Sequence, residues 1–167
     1  MSGPTTETRL VLAFNRFLGG DGVAYRIREA RYAEQIVDFL VDSKRFGYQG
    51  WEAKSIQLSK GARALYFSQH FHQSRPEDQG CQVNRISEFL RRSGRKGFLA
   101  VELRWGVGHS NSTHVIPWSV VESRFKAGVT GFKVPEIQAY PPIPQNGRNY
   151  ELTKAALLGI GFEYEVP

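Results

Sequence analysis

Asp38, Glu52 and Lys54 combine reactive side chains with a spacing that chemistry can use. They lie in a stretch that reads as two short strands, Ile36–Val41 and Gly50–Ile56, joined by a tight turn. Strand side chains alternate with period two, so Glu52 and Lys54 share one face and Ala53 takes the other. Carboxylates are depleted in strands and costly to bury unpaired. Two carboxylates and a lysine on one sheet therefore call for a compensating partner, and a divalent cation answers that need. Mg2+ takes hard oxygen ligands and keeps several waters, so Asp38 and Glu52, with the Ala53 carbonyl as a third donor, suffice. A metal held there suits phosphodiester hydrolysis, which requires charge neutralisation at phosphate oxygens and a hydroxide near neutral pH. Lys54 would orient or help deprotonate the attacking water and stabilise charge on the phosphate. The competing reading is a surface ion pair of Glu52 with Lys54 or Lys44, worth little. Asp42 keeps the strand face of Asp38 but lies nearer the turn, so Asp38 is the preferred ligand.

These residues need a frame. Thr5 or Thr6 caps a first helix that runs to about Leu18, with Glu7 in its first turn and Leu10, Ala13, Phe14 and Phe17 facing the core. Gly19-Gly20-Asp21-Gly22 stops it. Val23–Arg28 alternates as a strand, Ala24, Arg26 and Arg28 forming a basic outer face. Ser55–Ala62 reads as irregular, and His70–Gly80 as a loop. A second helix spans about Cys81–Arg92, with Val83, Ile86, Phe89 and Leu90 on its apolar stripe and Gly94 past its end. Gly97–Arg104 and Thr113–Trp118 are further strands. Ser119 caps a short helix to about Lys126, Val134–Pro144 is extended, and Tyr150–Leu158 forms a last helix before a terminal strand or tail from Phe162. This order predicts an α/β fold with a mixed central β-sheet flanked by helices, built as a single domain. Its core covers about residues 5–126, followed by an extension over 127–167.

Bulk properties restrict the partners. The net charge is +6, with 22 Lys and Arg against 16 Asp and Glu, which favours a polyanion, most often nucleic acid. Candidate phosphate contacts are Arg9, Arg26, Arg28, Arg31, Lys44, Arg45, Lys60 and Arg63, with a further cluster at Arg91, Arg92, Arg95 and Lys96. No apolar run reaches membrane-spanning length, and the N-terminus lacks the build of a signal peptide. The single cysteine, Cys81, cannot form an internal disulfide, which fits a reducing compartment. His70 and His72 with Cys81 lack a fourth ligand at useful spacing for zinc. No Walker A sequence or nucleophile elbow is present. Among the aromatics, Trp105 beside Arg104 is the one suited to base or partner contact.

An Asp followed fourteen residues later by Glu-x-Lys resembles the PD-(D/E)XK nuclease core. Over about Glu7–Pro142 the chain also resembles the archaeal-type and RecU-type Holliday junction resolvases. Thr6-Glu7-Thr8-Arg9 stands where those enzymes open a helix with a metal-associated Glu. Gly22–Arg26 is similar to their first strand. Val37-Asp38-Phe39-Leu40 is similar to their metal-binding strand, with Val37 where Pro often stands, and Trp51-Glu52-Ala53-Lys54-Ser55 to their E-x-K motif. Gln82 opens a helix like the one that carries a Gln beside the catalytic lysine, and Gly97–Arg104 and His114–Trp118 resemble the strand pair that follows. The resemblance implies a site of Glu7, Asp38, Glu52, Lys54 and Gln82, with metal held by Asp38, Glu52, Ala53 and Glu7. It implies Mg2+ as cofactor, with Mn2+ as a substitute, and four-way junction DNA cut by paired symmetric nicks from a homodimer. The implied setting is the cytoplasm and nucleoid of a prokaryotic or archaeal cell, or of a cell carrying a phage. The alternatives are a nuclease of this type acting on duplex or flapped DNA, and a non-catalytic DNA-binding module.

Overall fold

Thr5 caps α1 (Thr6–Leu18) by accepting a hydrogen bond from the Thr8 N–H, and Glu7 occupies the first turn, where the helix dipole favours an acid. This is a computed structural model, describing residues 3–27, 36–72, 76–77 and 80–162. After α1 come β1 (Gly22–Arg26), β2 (Phe39–Ser43), β3 (Gly47–Gln57), β4 (Ala64–Tyr66), α2 (Phe67–His70) and α3 (Gln82–Ser93). Then follow β5 (Lys96–Arg104), β6 (Ser112–Pro117), α4 (Trp118–Lys126), β7 (Gly131–Lys133) and α5 (Val134–Gln138). A small hairpin of β8 (Gln145–Asn146) and β9 (Asn149–Tyr150) leads to α6 (Lys154–Ile160).

The main sheet has the order β1-β2-β3-β5-β6. Its central pair, β3 and β5, is parallel and the other pairs are antiparallel. The chain thus adopts the expected α/β fold, a mixed central sheet flanked by helices. Both sheet faces are covered. Leu10, Ala13 and Phe14 of α1 pack with Phe39, Val41, Trp51, Phe98 and Ala100 on one side. Val83, Ile86 and Leu90 of α3 pack with Ile56, Leu99, Val101 and Leu103 on the other. Burial on both faces explains why β5 reads as a nearly continuous apolar run. Trp51, fully buried, stacks between Phe39 at 5.5 Å and Phe98 at 4.9 Å.

Several expectations need correction. The second strand begins at Phe39, not Ile36, although Asp38 still donates its N–H to the Trp51 carbonyl at 2.9 Å. β3 continues through Ser55–Gln57, where polar composition suggests irregular structure, because Ser55, Ile56 and Gln57 pair with Glu102, Leu103 and Arg104 of β5. In β1 the faces are inverted: Ala24 is buried towards α1, whereas Val23 and Tyr25 are exposed. Alternation fixes which residues share a face, but packing decides which face is covered. Pro117, not Ser119, stands at the cap of α4. Within the stretch expected to be extended, α5 opens at Val134 with Pro135 in its first turn, where a proline costs no helical bond, and the Lys133 N–H donates to the Glu136 carboxylate at 2.7 Å. Tyr150 closes the small hairpin, and α6 starts after Thr153, whose hydroxyl accepts from the Ala156 N–H. Ile143, Tyr150, Leu152, Leu157, Ile160 and Phe162, from the stretch after residue 126, pack into the α1-side core. Phe162 stacks on Phe98 at 4.7 Å.

Candidate metal centre

Four segments meet where β2 begins. Asp38 lies one residue before β2, and its carboxylate accepts the Ala53 N–H at 2.7 Å, a bond that ties the acid to β3. Glu52 projects from β3 to the α3 side and is 3% exposed. Lys54, two residues on, holds its ammonium 2.7 Å from Glu52 Oε1 and 4.8 Å from the centre of the Phe71 ring. Ala53 turns to the α1-side core, as the alternation requires. Gln82 starts α3, and its side-chain amide works in two directions. Nε2 donates to Glu52 Oε1 at 2.9 Å, while Oε1 accepts the His72 N–H at 3.0 Å. Lys54 and Gln82 thus both engage Oε1 of Glu52, and Oε2 takes no hydrogen bond from a described residue.

Electrostatics follow from this crowding. Burial, then the charge of Asp38, pushes the Glu52 carboxyl up to about 7, against the opposing pull of Lys54 and Gln82. Burial also raises Asp38. The Ala53 N–H opposes the shift, the charge of Glu7 adds to it, and Lys54 and Arg26 oppose it. Glu7 therefore acts on the centre through space, and it makes no hydrogen bond or ion pair with a described residue. Among the described residues no three His, Cys, Asp or Glu side chains lie close enough to hold an ion by themselves. The residues present nevertheless fit a hard divalent cation. A buried and a partly buried carboxylate, both with raised pKa values, share one lysine, and Mg2+ commonly binds through one or two carboxylates plus waters.

No protein-family model matches the chain, and no curated protein matches it. Among solved structures the chain is similar to Archaeoglobus fulgidus Hjc, a Holliday junction resolvase from an archaeal hyperthermophile. Identity is 16% over 80% of this chain and 95% of that one, with a TM-score of 0.45.

The basic residues separate into groups. Arg26, at the end of β1, donates to Thr8 Oγ1 at 3.3 Å and lies close enough to Asp38 to lower its pKa. Lys60 and Arg63 are exposed just beyond the end of β3 that carries Lys54. Lys44 and Arg45 occupy the β2–β3 turn, six residues and so roughly 20 Å of strand from Asp38, and Arg45 pairs with Asp21 at 3.0 Å. Arg9 is drawn into the fold by a buried pair with Glu102, a position that leaves it little surface for phosphate. Arg28 and Arg31 lie outside the described residues. Asp42 is taken by Tyr25 at 2.9 Å and Arg95 at 2.5 Å, which leaves Asp38 as the acid beside Glu52. Arg91 pairs with Glu88. Arg85, Arg91, Arg92, Arg95 and Lys126 line an open cleft along α3 that includes none of the candidate metal residues. Phe71 and His72 escape a reading of the sequence, because they act through a ring face and a backbone N–H that no motif records.

Proposed function

We propose that this chain is a metal-dependent endodeoxyribonuclease of the PD-(D/E)XK type that resolves four-way junctions as a homodimer. The observation that carries this reading is the joint engagement of Glu52 by Lys54 and Gln82, with Asp38 bound to the Ala53 N–H on the neighbouring strand. Asp38 and Glu52, the Ala53 carbonyl and Glu7 would hold Mg2+, with Mn2+ as a substitute; when bound, the metal supplies charge neutralisation at the phosphate and an acidified water. Gln82 keeps Glu52 in a fixed rotamer by hydrogen-bonding it and the His72 backbone at once. Lys54, braced over Phe71, presents its ammonium as a donor to the scissile phosphate oxygens and to the oxygen of the attacking water. Arg26, Lys60 and Arg63 neutralise flanking phosphates and so position the backbone without reading sequence. The preference for a four-way junction rests on the motif resemblance, and paired nicks across it require two sites, hence the twofold dimer.

One assay tests this reading. Purified protein is incubated with a synthetic four-way junction, a flapped duplex and a linear duplex, with and without Mg2+. Cleavage of the junction alone, in symmetric pairs and only with metal, is expected. Asp38→Asn and Glu52→Gln should abolish cutting while gel-shift binding of the junction persists, and Lys54→Ala should cut at least a hundredfold more slowly. Undiminished cutting by either carboxylate variant would overturn the site, and equal cutting of linear duplex would overturn the junction preference.

A further inference from the structure

On the sheet face opposite Glu52 and Lys54 lies a second buried charged cluster, assembled across the length of the chain. Glu102 of β5 is 1% exposed and is surrounded by donors. Thr6 Oγ1 donates to its Oε2 at 2.8 Å, Arg9 Nη2 pairs with the same oxygen, and Arg104 Nε pairs with Oε1. The Tyr150 hydroxyl lies 3.4 Å from Oε2 and shares a hydrogen bond with Thr113 Oγ1 at 2.7 Å. The Arg9 guanidinium sits 4.8 Å above the Tyr150 ring and donates to the Arg148 carbonyl at 3.2 Å, and its buried Nε has no partner among the described residues. Arg16, two turns along α1, donates to the Tyr150 carbonyl at 3.2 Å.

Desolvating the Glu102 carboxylate and the Arg9 guanidinium recovers little stability compared with apolar packing, so the benefit of such a cluster is a fixed geometry. What is fixed here is the first turn of α1. Thr6 and Arg9, three residues apart, lie on one helix face, and both are fastened to Glu102. With that face held, the rotation of the helix about its axis is set, and so is the direction of Glu7, the residue after Thr6; the same turn reaches the start of β2, because Thr8 Oγ1 accepts from Arg26 at 3.3 Å and Arg26 pairs with Phe39, the residue after Asp38. Resting on the proposed reading of the metal centre, we infer that the Glu102–Arg9–Tyr150 cluster is a positioning device that aims Glu7 at Asp38. The hairpin Gln145–Tyr150 completes this device from the C-terminal side. None of its members touches the reacting groups; each acts through Glu7.

A double-mutant cycle in the intact chain tests this, read in Mn2+ affinity, measured by calorimetry, and in the Mn2+ concentration that gives half-maximal cleavage. Glu102→Gln is expected to weaken Mn2+ binding about tenfold, the range seen when residues supporting a ligand are removed, and Tyr150→Phe several-fold. Neither should add a further loss in a Glu7→Gln background. Melting curves identify variants that remain folded, and if Glu102→Gln does not fold, Tyr150→Phe decides, since it keeps the ring under Arg9. Equal losses in both backgrounds, or unchanged Mn2+ affinity in a folded variant, would overturn the positioning role alone. Absence of Mn2+ binding by the unaltered protein would instead overturn the proposed metal centre, and the positioning role with it.

Discussion

Glu52 sits in an environment that opposes its charge, and the consequence can be worked out in sign. Its carboxyl titrates near 7 in the folded chain and near 4.5 when unfolded, so the folded state binds the proton more tightly between those values. The associated stability is complete below about pH 4.5 and is lost as pH rises through about 7, an effect on the order of 3 kcal/mol for a shift of this size. Asp38 is shifted in the same direction. Metal-free protein is therefore expected to melt at a lower temperature at pH 8 than at pH 5.5. Glu52→Gln should flatten that dependence, and millimolar Mg2+ should restore much of the loss at pH 8. A metal-free melting temperature that rises over this interval would contradict the burial argument. At this scale the sequence was informative where chemistry is local. Asp38, Glu52 and Lys54 are exposed to reading by strand alternation, and Gln82 by its place at a helix start. The Glu102 cluster was not, because its bonds to Thr6 and Tyr150 span 96 and 48 residues and no spacing rule connects them.

Elements impose their own conditions, most tightly where α3 crosses the sheet. A Cβ at Gly97 would stand 2.2 Å from Leu90 Cδ1 and 2.7 Å from Trp118 Cβ. Helix and strand therefore approach through a gap that only hydrogen fills. Gly97→Ala should force α3 and α4 outwards, cost about 1–3 kcal/mol in chemical denaturation, and slow cleavage as well, since α3 carries Gln82 at its far end. Retention of both full stability and full activity would show that the crossing is looser than described. The helices α1 and α3 were legible because caps, glycine stops and apolar stripes agree with one another. β1 and α5 were misread for physical reasons: a short edge strand carries no label for its covered face, and a proline in a first turn looks the same in sequence as one in extended chain.

For the whole molecule, the excess of basic side chains predicts an ionic-strength signature. Junction affinity should fall steeply between about 50 and 200 mM salt, by two orders of magnitude or more if several phosphates are neutralised. Charge removal at Lys60 or Arg63 should reduce the slope of that dependence by about one per residue without changing which substrate is preferred. A salt-independent affinity would place binding elsewhere than on the basic surface. The order in which the chain supplies its parts has one more consequence, for synthesis. Every candidate metal residue has been made by Gln82, whereas the strand beside Glu52, the carboxylate that fastens α1, and Tyr150 all come later. A nascent chain thus carries the candidate metal residues before it carries the strand and hairpin that pack around them. The α1-side core likewise closes only once Phe162 is available to stack on Phe98.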